Sequence, residues 1–145
     1  MKRSEVRLFV KNGVNALSPV LTFSEGLITE FNADVNRKLP TVHNLLEEND
    51  TELTTSAPTD DWKIKLVIAE LDKEDSKADQ YEDLVDRCDE VAQKLIYKFR
   101  NVIEGYKLVT IESLNRKKFI KKYASCLTGI ELTFTLKAPD KTNVC

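Results

Sequence analysis

The stretch "LTGIELTFTLKAP", residues 127–139, alternates Ile130, Leu132, Phe134 and Leu136 with Glu131, Thr133, Thr135 and Lys137. Strict alternation predicts a strand with one buried and one wet face. "DWKIKLVIAEL" repeats the pattern, with Trp62, Ile64, Leu66 and Ile68 on one side and Lys63 and Lys65 on the other. "YKLVTIESL" and "KKFIKKYAS" are two further strand candidates, the second also compatible with a helical turn. It lies close enough to "GIELTFTLK" to form a hairpin across "ASCLTG". "TVHNLLEE", after Pro40, adds another candidate strand.

A different period rules between Asp75 and Gly105. Tyr81, Leu84, Val85, Cys88, Val91, Ala92, Leu95, Ile96, Phe99, Val102 and Ile103 fall on one side of a helix. Ser76-Lys77-Ala78-Asp79 reads as a capping box, and Gly105 as the stop. Acids crowd the first turns and Lys94, Lys98 and Arg100 the last, each sign at the pole that favours it. A helix from Ser76 to Ile103 is on the order of 40 Å long and must lie across a sheet or another helix. Near the start, Val6, Phe9, Val10, Val14 and Leu17 predict a short helix interrupted by Gly13. "LTFSEGLITEFN" reads as a strand or an irregular extended segment. Residues 47–61, polar and acidic with Pro58, read as a long exposed loop.

The expected fold is therefore α+β: one domain over residues 1–145, with a small, mostly antiparallel sheet against one long amphipathic helix and a short N-terminal helix. A chain of 145 residues suits one domain with an unstapled core. The formal net charge of −2 does not announce a nucleic-acid binder. No uncharged apolar run is long enough to predict a membrane span, and Lys2 and Arg3 precede no signal-like apolar run. Cys88, Cys126 and Cys145 match no zinc spacing, and Cys88 reads as core filler.

Little points to chemistry. His43 is the one histidine, and no GxSxG elbow or nearby nucleophile accompanies it. The calcium-loop count from Asp72 fails at Lys77, where glycine is needed, so "DKEDSKADQYED" reads as helix entry. Four scattered glycines build no phosphate loop. No catalytic residue, metal site or cofactor is predicted. Charge segregation is more informative. Residues 70–90 hold ten acids and three bases; residues 94–122 hold nine bases and two acids. Arg116, Lys117, Lys118, Lys121 and Lys122 form the densest cluster. It could be a solvated face, a phosphate contact, or a contact to the acidic face of a neighbouring copy. Acidic candidates for that face are Glu47, Glu48, Asp50, Asp60, Asp61, Asp79 and Asp86.

Taken in order, "FSEGLITEFN", "LPTVHNLLEE", "WKIKLVIAELDKEDS", "DLVDRCDEVAQKLI" and "YASCLTGIELTFTLKAP…C" resemble the small neck and tail-terminator proteins of tailed bacteriophages. The similarity is greatest to versions from phages of Bacteroidota, including the crAss-like group. The resemblance implies a six- or twelve-fold homo-oligomeric ring in the virion, assembled in the host cytoplasm. It implies contacts with other neck or tail proteins, sequence-independent contact with DNA in the lumen, and no catalysis. If "LTGIELTFTL" were an edge strand, a neighbouring copy could extend it, with residues 139–145 as an arm.

Overall fold

A computed structural model describes residues 2–17, 22–27, 41–46, 50–54, 59–101, 110–123 and 126–139, with the backbone alone at 22, 50–54, 59–60, 101, 110 and 138–139. In chain order the elements are α1 (Arg3–Asn15), β1 (Thr22–Gly26), β2 (Thr41–Leu45), β3 (Asp50–Thr54), β4 (Thr59–Leu71), α2 (Ala78–Asn101), β5 (Thr110–Lys122) and β6 (Leu127–Pro139). The fold is α+β. The strands form one six-stranded sheet in the order β1-β2-β4-β6-β5, with β3 also paired to β4. β2 takes residues 66–69 of β4 and β3 takes residues 59–63, so the two lie end to end along one edge of β4.

Every pairing is antiparallel except β1 with β2, which is parallel, so the sheet is mixed. β4 and β6 pair along their whole length and form its centre. Trp62, Ile64, Leu66 and Ile68 meet Leu136, Phe134, Leu132 and Ile130 across the ladder, as their alternation predicts. This face packs under α2 through Val85, Cys88, Ala92, Leu95 and Phe99, and under α1 through Val6, Phe9, Val10 and Val14. Phe99 joins the layers: its ring lies 5.5 Å from Phe9 and 5.4 Å from Phe134.

Several expectations are corrected. The strand at residues 127–139 is interior, paired on both sides, so no neighbouring copy can extend it. Alternation reports one wet face and carries no information about free edges. The two candidates around 106–125 are one strand, β5, which forms an edge of the sheet. Residues 47–61 are not a loop throughout, because β3 and the start of β4 pair there as a hairpin. The long helix starts at Ala78, not Ser76. Ser76 instead closes a turn, its N–H donating to Lys73 O at 3.1 Å. The cap is Gln80, whose side-chain oxygen accepts the Lys77 N–H at 3.1 Å. Residues 102–109 and 140–145 lie outside the described residues, with the Gly105 stop and most of the proposed arm.

Candidate interaction faces

The basic cluster sits on β5, and two β-bulges decide what it does. The β5–β6 register slips between Glu112 and Asn115 and again between Phe119 and Lys122. Ser113 (φ 55°) and Lys121 (φ 51°) occupy the left-handed region at these slips. Arg116 and Lys118 stand opposite Leu132 and Ile130 and so share the helix-covered face. Arg116 Nη1 donates to Asp89 at 2.9 Å, and Lys118 Nζ to Glu82 at 2.9 Å. Lys121 Nζ donates to the carbonyls of Glu74 and Ser76 at 3.0 and 2.8 Å and pins the turn into α2. Three of the five cations therefore bind the acidic half of the same chain's helix and its entry turn.

Lys117 and Lys122 lie on the second face. Lys117 stands opposite Glu131 in the register and makes no ion pair among the described residues. Lys122 Nζ donates to Glu131 Oε1 at 3.0 Å, and the Tyr123 hydroxyl donates to the same oxygen at 2.8 Å; Lys65 Nζ lies 3.7 Å from Oε2. Burial opposes ionisation of Glu131, but these donors and charges outweigh it and hold the carboxyl below its ordinary value of 4.5. A carboxyl held low in the folded state stabilises above its unfolded pKa and loses that contribution as pH falls through the folded value. Acid titration of stability should therefore fall less steeply below about pH 4.5 in Glu131→Gln than in the parent. At neutral pH the substitution should cost roughly 1–2 kcal/mol in denaturant melts.

The second face divides in two. Around Leu45, Val67, Ala69, Phe119 and Leu127 it is buried, with Tyr123 packed against the cluster. Toward the other end it is wet, and Lys63, Lys65, Ser113, Thr133 and Thr135 line a shallow groove of about 340 Å³. The backbone register sets Asp50 opposite Lys63. Lys137, one rung further, lies 3.2 Å from Glu112 and 3.9 Å from Asp61.

Of the acidic candidates, Asp79 and Asp86 are exposed on α2 and make no ion pair among the described residues. They share a ridge with Asp83 and Glu90: at 100° per residue the four fall within about 60° of arc, roughly 170° from the core stripe. Glu90 is met by Lys94 one turn on, at 3.2 Å. Asp50 and Asp60 lie on β3 and β4 without described side chains, and Glu47 and Glu48 lie outside the described residues. Asp61 is half-buried beside Lys137. The acidic ridge and the lysine-lined groove thus occupy opposite sides of the molecule. Lys63 and Lys65 were legible as the polar side of a strand, but their joining with Ser113, Thr133 and Thr135 depends on a register and a bulge.

His43 is buried on β2. The parallel register sets it opposite Ser24, whose Oγ lies 2.7 Å from Nδ1. Nε2 lies 3.2 Å from Gly26 O, a pure acceptor, so Nε2 carries the proton and Nδ1 accepts from Ser24. The histidine joins two strands. The expectation of Cys88 as core filler agrees with its full burial. Burial, and next the charge of Glu70, push its thiol up to about 12, so it remains a protonated thiol at neutral pH. Cys145 lies outside the described residues. Asp72, the first position of the rejected calcium count, accepts from the Thr128 hydroxyl at 2.6 Å and the Lys73 N–H at 2.8 Å, which ties the turn to β6. No group of three or more metal-ligating side chains occurs among the described residues. No helix among them is long and apolar enough to cross a membrane. No protein-family model and no curated protein matches this chain.

Proposed function

We propose that this chain is a structural subunit that assembles head to tail into a ring at the neck or tail end of a tailed phage, joining adjacent rings and leaving a lumen for DNA. The observation that carries this reading is the opposed placement of the acidic α2 ridge and the lysine-lined groove of the sheet. Opposite charges on opposite sides favour a heterologous contact, which closes into a ring when the rotation allows. The resemblance in element order to neck and tail-terminator proteins agrees with it. The alternative, DNA binding through Arg116–Lys122, is less favoured because the register splits that run, with Arg116 and Lys118 on the helix-covered face and Lys117 and Lys122 on the other, so it presents no single basic surface.

Negative-stain imaging and sedimentation over a concentration and salt series test the proposal. Closed rings that dissolve at high salt are expected. Asp83→Lys/Asp86→Lys and Lys63→Glu/Lys117→Glu should each raise the half-assembly concentration about tenfold or more, the size of a 1.4 kcal/mol loss. An equimolar mixture of the two variants should assemble again as alternating rings. Monomers at every concentration and salt, or unmixed variants that assemble like the parent, would overturn it.

A further inference from the structure

Glu131 stands at the border between the buried patch and the wet groove of the second face. The β4–β6 register sets it opposite Val67 and one same-face step from Lys65, which lies opposite Thr133. Its carboxylate oxygens have different partners. Oε1 accepts from the Tyr123 hydroxyl at 2.8 Å and from Lys122 Nζ at 3.0 Å, at the end of β5 and the turn after it. Oε2 has Lys65 Nζ alone among the described residues, at 3.7 Å. That is too long for a hydrogen bond but close enough for attraction between opposite charges. The Lys65 side chain is 25% exposed and lines the groove. An ammonium carries its donors on a flexible stem, so Lys65 can turn to a carboxylate on either side.

Given ring assembly through this groove, we infer that Glu131 is an intramolecular competitor of the acidic ridge, a role that rests on that assembly. Its Oε2 holds Lys65 back from the Asp83 and Asp86 carboxylates of a neighbouring copy. An incoming carboxylate meets a lysine already attracted to Glu131, and it is repelled by the Glu131 charge itself, so it gains less than Lys65 alone would offer. The contact acts as a brake on assembly at low concentration. Anchoring of β5 to β6 does not depend on it, because Tyr123 and Lys122 are bound through Oε1. A glutamine keeps a carbonyl oxygen for those two donors and puts an uncharged amide in place of Oε2. It therefore separates the two tasks of Glu131: the anchor is retained, and Lys65 is released to the groove.

A double-mutant cycle on the full-length protein tests the role. Half-assembly concentrations are measured by sedimentation velocity for the parent, Glu131→Gln, Lys65→Gln and the double variant, after circular dichroism has shown each to be folded. Glu131→Gln should assemble at a concentration about threefold lower than the parent, within the range of one partly exposed charge pair. The gain should narrow as salt rises, because exposed charges are screened. It should also run through Lys65: the double variant should assemble like Lys65→Gln alone. A general loosening of the sheet would instead weaken assembly, or change it equally with and without Lys65. Parent assembly with no gain in Glu131→Gln, or a gain that survives in the double variant, would overturn the competitor role and leave the ring contact standing. Absence of assembly in both the parent and Glu131→Gln would overturn the two together.

Discussion

Gly129→Ala is expected to abolish the native fold, or to destabilise it by about 3 kcal/mol or more, at or above the upper end of what overpacking a core usually costs. Gly129 stands opposite Ala69 where β6 crosses β4. A Cβ there would lie 1.9 Å from Ile68 O and 2.8 Å from Ala69 Cα. Both atoms are backbone in the longest ladder, whose strand β4 is paired on its other side by β2 at this point, so neither can swing aside as a side chain can. Relief requires β4 and β6 to separate, and each residue between them contributes to the sheet that α1 and α2 cover. Circular dichroism and a urea melt of the purified variant would show the loss directly. A variant with the parent's midpoint would mean that the close approach of the two strands is wrong.

Phe99→Ala is expected to cost about 3–5 kcal/mol, the usual range for deleting a buried aromatic ring. The ring is 1% exposed and lies between Phe9 of α1 and Phe134 of β6. Gly13 accepts it on the α1 side: a Cβ at that position would fall 2.2 Å from the Phe99 ring. Removing the ring opens a cavity where both helices and the sheet meet. α1 should be the first element to loosen, because its packing against α2 runs through this contact. Chemical denaturation would give the total cost, and hydrogen exchange of the α1 amides would show where it falls. A loss below 1 kcal/mol would show that the helix docks through other contacts. Gly13, which interrupts the helical pattern of residues 6–17, is thus explained by a neighbour 86 positions away in sequence.

Much of the fold was legible because its signals are local. Alternation along 62–68 and 130–136 fixed which side chains enter the core, and that set is the one buried under α1 and α2. The helical period from Tyr81 to Phe99 named the inner side of α2 in the same way. Side-chain direction follows from backbone geometry at periods of 2 and 3.6, so a single strand or helix carries the information by itself. The charge asymmetry between 70–90 and 94–122 was equally plain.

What those charges do was decided by tertiary structure. Which strand is an edge depends on how many partners it finds, and β6 finds two. The run "NRKKFIKK" looks like one cluster, yet the slips beside Ser113 and Lys121 send Arg116 and Lys118 to Asp89 and Glu82, and Lys117 and Lys122 to the opposite face. A shift of one residue reverses every following side chain, and nothing in the composition of β5 marks the place. The same holds for Ser24 with His43, a pair joined by strand register. The residue pattern of each element set the side that the helices and the sheet bury between them, but not the second buried patch around Val67 and Phe119. Only the folded chain decided which charges neutralise one another and which remain for a partner, because a charge's fate depends on what stands opposite it.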